Sequence, residues 1–253
     1  MFNSSVSRSR LFRSTVFGLA GLLSMAGTAQ AGGHEKGEHA DQFYLSVFGG
    51  ASFAQDLDYD GQVGGNPQTV DTDLDNDFVF GGAIGYDFNS VQYGVFSPRL
   101  ELELSYREHD TDGINFSGNG AGPDNDLGGD IGLTTLLTNA YLDITAFEEH
   151  SITPFVGVGL GVAFIDQNVV YAPNAATTPV IDLGDSDEVF AAQFIAGVDY
   201  AFTDHISLYS DVRYLVTDEF ESDRINQTAG VNTGNLEERF SSTSINIGLR
   251  YSF

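Results

Sequence analysis

The sequence predicts an all-β protein, an eight-stranded antiparallel up-and-down transmembrane β-barrel. Three observations predict it: eight segments alternate apolar and polar residues, the N-terminus has the pattern of an export signal, and the connections are alternately short and long. The C-terminal segment FSSTSINIGLRYSF (240–253) shows the alternation best, because apolar side chains occupy every second position back from Phe253. A strand of this kind has one apolar face and one polar face.

The first 31 residues have the organisation of a signal peptide. Arg8, Arg10 and Arg13 precede a mostly apolar stretch over 11–25, and Ala29-Gln30-Ala31 supplies a small-residue cleavage site. The apolar stretch is shorter than the ~20 residues that a transmembrane helix needs. We therefore expect a signal peptide over 1–31, a short polar leader over 32–41 and a barrel over 42–253.

Composition limits the class of protein further. The 253 residues include no cysteine, so an exported form gains nothing from disulfides. The formal net charge is −26, which excludes nucleic acid as a partner because phosphate binding needs a basic surface. The 30 glycines and 12% aromatic residues suit a β-protein with a tightly packed interior.

Each predicted strand is long enough to cross a bilayer at a tilt. In chain order the strands are Gln42–Ala54, Phe78–Phe88, Pro98–Asp110, Ile131–Phe147, Ile152–Ile165, Val189–Phe202, Ile206–Asp218 and Phe240–Phe253. The pattern is sharpest in the third strand, where Leu100, Leu102 and Leu104 alternate with Glu101 and Glu103, and noisiest at the start of the fourth.

The connections alternate strictly in length. The short ones are Asn89–Ser97, Glu148–Ser151 and Thr203–His205. The long, acidic ones are Gln55–Asp77, Thr111–Asp130, Asp166–Glu188 and Glu219–Arg239. Short turns at one rim and long loops at the other are typical of outer-membrane barrels with periplasmic turns and extracellular loops. Both termini then lie on the periplasmic side.

The distribution of aromatic residues decides which face meets lipid. Aromatic side chains gather near strand ends, as in interfacial girdles: Tyr86, Phe88, Tyr106, Phe147, Tyr200, Phe202, Tyr214, Tyr251 and Phe253. Closing the sheet satisfies every backbone polar group, which lipid demands. The alternative is a periplasmic sandwich or lipocalin-like barrel, in which the apolar face is the core.

The polar faces carry charges that a membrane barrel turns inward. They are Asp87, Arg99, Glu101, Glu103, Arg107, Asp143, Asp199, Asp211, Arg213 and Arg250. Buried charges must be paired or hydrated. We therefore expect an arginine–carboxylate network that fills the lumen, and the alternative is a gate in a narrow ion path.

The strand signatures resemble those of the small outer-membrane β-barrel family that includes OmpA-type, OmpX-type and opacity or P44-type surface proteins. They are PRLELELSYR (98–107), TNAYLDI (138–144), TPFVGVGLGVAF (153–164), AGVDYAFTDHISL (196–208), DVRY (211–214) and INIGLRYSF (245–253). The resemblance implies the outer membrane of a Gram-negative bacterium and contact with its lipid and lipopolysaccharide. Leu249, Tyr251 and Phe253 resemble the signal read by the barrel-assembly machinery.

Family members serve as structural proteins, adhesins, surface antigens or narrow pores. We expect a non-enzymatic surface barrel without a cofactor, whose loops contact host or cell-surface partners, and the alternative is a narrow pore for ions or small solutes. A lipid-modifying enzyme is a weaker hypothesis: His205 and Ser207 form a His-x-Ser pair at the periplasmic end, and His109 has no serine beside it in sequence.

A cation site is the remaining candidate in the sequence. Asp56, Asp58 and Asp60 match the first half of a calcium-loop pattern, but Pro67 replaces its closing glutamate. A solvated acidic surface is the preferred interpretation, and weak divalent binding by these three residues is the alternative.

Overall fold

A computed structural model describes residues 41–55, 57–63, 66–74, 76–118, 122–123, 125–172, 181–226 and 231–253. The predicted signal peptide and nearly all of the predicted leader lie outside these ranges. No helix in the described ranges is long and apolar enough to cross a membrane.

Eight strands in the described ranges make the barrel wall. They are β1 (Gln42–Ala54), β4 (Asp77–Asp87), β5 (Phe96–Gly118), β7 (Asn125–Ile144), β8 (Ile152–Ala172), β9 (Ile181–Ala201), β10 (Ile206–Asn226) and β11 (Val231–Ser252). Three shorter strands accompany them: β2 (Leu57–Val63), β3 (Asn66–Leu74) and β6 (Gly122–Pro123). A 3₁₀ helix over Thr145–His150 makes one short turn, so the fourth predicted strand ends at Ile144 rather than Phe147.

The wall closes on itself, and every pair of strands is antiparallel. Each of the eight strands pairs with its neighbour in the chain, and β1 pairs with β11 from Tyr44↔Ser252 to Ala54↔Ser242. Closure leaves no free sheet edge at this level, which is the condition for a β-structure in lipid. The predicted eight-stranded barrel is confirmed.

The long connections differ from the prediction. Much of each segment predicted as a loop continues the strands, so that β5 and β7 to β11 are 20 to 23 residues long. A tilted strand needs only about 9–11 residues to cross a bilayer, so the wall continues about ten residues beyond it, or roughly 30 Å along the strand.

The first predicted loop forms a hairpin that completes this extension. Strand β2 pairs with β3, β3 pairs with β5 from Gln68↔Gly118 to Leu74↔Thr111, and β2 touches β11 at Leu236↔Gly61. The hairpin therefore occupies, beyond the membrane, the place in the wall that β1 and β4 occupy within it. The wall contains eight strands at both levels.

The outer face of the lower wall is an apolar belt. Large side chains on every strand point outward, with Ile247 62%, Phe194 60% and Leu104 56% exposed. Water would penalise a surface of this size, whereas lipid accepts it. The belt shows that the apolar face of each strand points away from the barrel, as the membrane interpretation requires and the soluble alternatives do not.

The polarity of the two faces inverts beyond the belt. On β7, Leu142 and Leu136 point outward within the belt, but Asp130 is exposed and Ile131 is fully buried above it. The same inversion on β5, β8, β9 and β10 leaves an acidic collar on the outer face, which we define as Glu108, Asp110, Asp130, Asp166, Glu188, Asp218 and Glu219. The upper wall thus has the pattern of a water-soluble barrel standing on a membrane barrel.

Leu102→Arg tests the assignment of the belt. Leu102 points outward between Ile84 and Thr138 near the middle of the belt and is about half exposed. A charge there should lower the free energy of unfolding by about 2–4 kcal/mol in lipid vesicles. Urea titration measures it, with Leu102→Phe as the apolar control. An unchanged value for Leu102→Arg would place this face in water.

Candidate functional site

The lumen holds the predicted charges in its lower part, at membrane depth. We call this set the ionic layer: Tyr44, Asp87, Arg99, Glu101, Glu103, Asn139, Tyr141, Asp143, Gln193, Asp199, Asp211, Arg213, Asn246 and Arg250. Strand alternation turns each of these side chains toward the barrel axis, and an eight-stranded barrel is narrow enough for side chains to meet across it.

Arg99 organises the periplasmic end of the ionic layer. Its Nε and Nη2 donate to the two carboxylate oxygens of Asp143 at 3.1 Å each, and its Nη1 donates to Glu101 at 3.3 Å. Asp87 lies 3.7 Å from Nε. The Tyr44 hydroxyl accepts from Arg99 at 3.1 Å and donates to Glu101 at 2.8 Å. The planar guanidinium fork is what allows one residue to hold several carboxylates.

Arg213 organises the centre of the ionic layer. It makes a two-point contact with Asp211 of its own strand, with Nε and Nη2 each 2.9 Å from an oxygen. Its Nη1 donates across the lumen to Glu103 at 2.7 Å. Amides complete the cluster, because Asn139 donates to Glu103 at 2.9 Å and Asn246 donates to Asp211 at 2.8 Å. Strands β5, β7, β10 and β11 are thus tied together across the lumen.

Arg250 pairs with Asp199 beside the Arg99 cluster. The Arg250 Nη1 lies 2.8 Å from Asp199 Oδ2, and the Ser207 hydroxyl donates to the same oxygen at 3.0 Å. This places strands β9, β10 and β11 in one contact at the periplasmic end.

Aromatic rings cover the arginines, which sequence reasoning did not foresee. The Arg99 Cζ lies 4.1 Å from the Tyr141 ring centroid and the Arg213 Cζ lies 4.0 Å from that of Phe48. Room for the tyrosines comes from small residues, since a Cβ at Gly85 would lie 2.0 Å from the Tyr44 ring. The alternation along the strands places Tyr44, Tyr141 and Phe48 inside, so the sequence contained the information that these rings lie in the lumen.

Arg107 stands apart from the other predicted network residues. It is 2% exposed, and its Nη1 donates to the Ser242 hydroxyl at 2.8 Å. Among the described residues no carboxylate lies within ion-pair distance of it, and its Nε has no hydrogen-bond partner. The place of Arg107 in an arginine–carboxylate network therefore stays a prediction, in which Glu103 is the carboxylate that attracts it from beyond ion-pair distance.

The lumen above the ionic layer is apolar. We call this set the apolar layer: Val79, Ile131, Leu133, Ala163, Ile165, Val189, Ala191, Leu215, Phe220 and Phe240, all buried. His109 and Ser52 lie in it, with Nε2 and Oγ 3.2 Å apart and both side chains fully buried. His109 therefore does contact a serine, one that is distant in sequence.

The other enzymatic candidate is the pair His205 and Ser207, whose side chains lie in two different environments. His205 is exposed at a short turn, where its Nδ1 lies 3.0 Å from the Ser252 carbonyl oxygen. Ser207 points inward to Asp199. The two residues therefore do not share a hydrogen bond among the contacts of the described residues.

The remaining predicted sites are reached only in part. Leu249, Tyr251 and Phe253 lie on the outward face, and the Phe253 amide donates to the Phe43 carbonyl at 3.0 Å, which fixes the terminus to β1. Asp56 lies outside the described residues, and only the backbone of Asp58 and Asp60 is described, within β2. No cluster of acidic or histidine side chains in the described ranges could hold a metal ion.

The pairing of β9 with β10 is interrupted at the level of the acidic collar. The pairing stops at Thr217↔Ala191 and resumes at Arg224↔Leu183. A cleft opens there on the outer surface, lined by residues 186–190 with Asp218 and Glu219. The Asp218 carboxylate accepts from the Glu219 amide at 3.0 Å, so side chains replace part of the missing ladder.

The collar also places like charges opposite one another. Asp110 and Asp130 are direct partners in the β5–β7 register. Partial burial, with the negative charges of Glu108, Asp110 and Asp166, raises the pKa of Asp130 above its usual 3.8. The folded barrel therefore binds a proton here more readily than the unfolded chain does, and ionisation of Asp130 opposes folding.

Glu103→Ala tests the ionic layer. The change leaves Arg213 buried with half of its carboxylate partners and leaves the Asn139 amide only the longer hydrogen bond to Tyr141, so we expect a loss of about 3–5 kcal/mol in the free energy of unfolding. Urea titration of the refolded barrel measures it. Asp204→Ala, at an exposed carboxylate in the turn before β10, is the control and should change little. Equal effects of the two variants would show that the inward contacts contribute nothing special.

Asp130→Asn tests the charge repulsion in the collar. Removing one of two opposed carboxylates should raise the free energy of unfolding at pH 7 by about 0.5 kcal/mol. The gain should shrink as the pH falls through the raised pKa and vanish below 3.8, where Asp130 is protonated in both states. Asp204→Asn, in the exposed turn before β10, is the control. A gain that persists at low pH would contradict the electrostatic cause.

Comparison with solved structures identifies the same architecture. The outer membrane protease OmpT from Escherichia coli superposes with a TM-score of 0.50 at 9% identity, covering 84% of this chain and 97% of that one. The outer membrane protein OprG from Pseudomonas aeruginosa gives a TM-score of 0.50 at 15% identity, covering 86% and 98%. At such identities the likeness shows the fold alone.

Sequence comparison carries the assignment further. An uncharacterized protein of Brucella abortus (strain 2308) is 26% identical over 201 residues, which cover 69% of this chain and 68% of that protein. The family model described as "Outer membrane protein beta-barrel domain" matches residues 17–253. Because this match spans most of the chain, the chain belongs to the outer-membrane protein β-barrel family and is a protein of the Gram-negative outer membrane.

Proposed function

We propose that this chain is a non-enzymatic surface barrel with a closed lumen, whose role is structural and interactive. The wall anchors in the membrane and presents its acidic upper end to the exterior. The observation that carries the proposal is the filling of the lumen by two successive layers, one ionic and one apolar, with side chains such as Arg99 only 1% exposed.

The ionic layer supports closure because its members hold one another. Arg99 and Arg213 each bind carboxylates from two or more strands, at distances of 2.7 to 3.3 Å for their hydrogen bonds. Passage of an ion would require these contacts to separate and the charges to find other partners, which is costly in a low-dielectric interior. The apolar layer adds a second set of buried side chains that fills the lumen above it.

The upper wall and its connections are the surface on which partners would act. We infer that this acidic end contacts host or cell-surface molecules, as adhesin-like or antigen-like barrels do. The belt contacts membrane lipid, and the collar lies where lipopolysaccharide headgroups meet the wall. The outward Leu249, Tyr251 and Phe253 are accessible to the barrel-assembly machinery before insertion.

The separation of His205 from Ser207 supports a non-enzymatic role. OmpT is described as a protease, but at 9% identity its similarity to this chain shows only a shared fold. The Ser52–His109 pair is fully buried within the apolar layer, where a lipid or peptide substrate has no access. The proposed role involves no metal and no cofactor.

A narrow pore is the second candidate, and the charged lumen favours it. Rings of charged side chains are a common selectivity device in channels. In that case the ionic layer would be a gate that opens when Arg99 or Arg213 exchanges partners.

Conductance in planar bilayers distinguishes the two functions. The closed barrel should give silent membranes, whereas a gated pore should give discrete openings. Glu101→Ala removes one partner of both Arg99 and Tyr44, so we expect it to add rare openings or to lower stability. Asp204→Ala, in the exposed turn before β10, is the control. Discrete openings of the unaltered protein would overturn the closed barrel, and a Glu101→Ala variant unchanged in both conductance and stability would contradict the network as its plug.

A further inference from the structure

We propose that the lumen contains an anion-binding site at Arg107, between the ionic and apolar layers, which takes a halide or a monovalent anion of similar size. The proposal rests on a buried cation that has no carboxylate within ion-pair distance among the described residues, although Glu103 of the same strand attracts it from farther away. Arg107 is 2% exposed and lies on β5 between Val79 of β4 and Leu133 of β7, both apolar and buried.

The other lumen arginines show what Arg107 lacks. Arg99 lies within ion-pair distance of Asp87, Glu101 and Asp143, Arg213 of Asp211 and Glu103, and Arg250 of Asp199. The Nε of Arg250 is also without a hydrogen bond, but its Nη1 is paired with a carboxylate at 2.8 Å. Arg107 alone of these four has no carboxylate partner among the described residues. Guanidinium groups do not lose their proton in proteins, so its charge is fixed.

One donor of Arg107 lacks a protein acceptor. The Nε–H of Arg107 has no acceptor in the described part of the chain. The Ser242 oxygen accepts from Arg107 Nη1 at 2.8 Å, and in a planar guanidinium Nη1 lies on the side away from the Nε–H. Ser242 therefore does not cover the Nε–H, and an N–H without an acceptor on a buried cation forms a site for an anion.

The surroundings determine the size and charge of the ligand. An unpaired buried charge costs several kcal/mol, so a bound anion would stabilise the folded barrel. Only four of the ten predicted lumen charges are basic, and three of them are already paired, so the site offers one positive charge and fits a monovalent anion. The filled lumen of an eight-stranded barrel leaves no room for a large one.

The first test measures anion-dependent stability. The full chain is refolded in detergent at constant ionic strength in sodium chloride, sodium bromide or sodium gluconate, whose anion is too large to enter. With chloride at ten times its dissociation constant, the folded-to-unfolded ratio should rise about 11-fold over gluconate and then saturate as the site fills. A general salt effect would not saturate, and observing one would overturn the proposal.

Variants separate this site from the rest of the protein. Arg107→Met should abolish the chloride dependence, and Arg107→Lys should retain it in part. Arg239→Gln, at an exposed arginine paired with Glu219, is the matched control and should behave as the unaltered protein does. Chloride dependence that survives in Arg107→Met would place the anion elsewhere and overturn the assignment.

Crystals of the unaltered protein grown in bromide give a direct readout that needs no variant. Anomalous scattering should show a bromide within hydrogen-bond distance of Arg107 Nε. An ordered water there without bromide would mean that hydration alone satisfies the guanidinium, and the proposal would be wrong. None of these measurements depends on whether the barrel conducts.

Discussion

The pairing of β1 with β11 is the contact on which the rest of the molecule depends. A bilayer supplies no hydrogen bonds to the backbone, so a sheet can exist there only if its first and last strands satisfy each other. The register from Tyr44↔Ser252 to Ala54↔Ser242 does this, and the Phe253 amide extends it to the last residue. Once the sheet closes, every second side chain must fit inside a narrow lumen.

The narrow lumen explains why its charges occur in a connected set. A lone buried arginine would be costly, but Arg99 and Arg213 each reach several carboxylates through the planar guanidinium fork. Rings stacked on the guanidinium groups fill the space beside them, and Gly85 makes room for one such ring. Filling and charge pairing are therefore satisfied by the same side chains. Arg107 satisfies the first requirement without the second.

The alternation of residues was enough to predict the strands, their order and the face on which each charge lies. It could not predict contacts between strands distant in sequence, such as Ser52 with His109 or Arg213 with Glu103, because these depend on the stagger of the closed barrel. It also missed the strand extensions. The acidic segments after Asp110 and Asp166 were interpreted as loops because charged residues usually mark them, but strands β5 and β8 continue through them to Gly118 and Ala172.

This error and the noisy start of the fourth predicted strand have one physical cause. A strand that crosses the membrane surface changes solvent on its outer face, so its outward residues change from apolar to charged while its inward residues change from charged to apolar. On β7, Leu142 points outward and Tyr141 inward at membrane depth, whereas Asp130 points outward and Ile131 inward above it. The change falls between these two pairs, and the period of two is kept throughout. A prediction that expects the apolar residues on the same face throughout therefore ends the strand at that point. A period-two pattern that allows the two faces to exchange polarity would have predicted the strand into the upper wall. It would also have separated the ionic layer at membrane depth from the apolar layer above it.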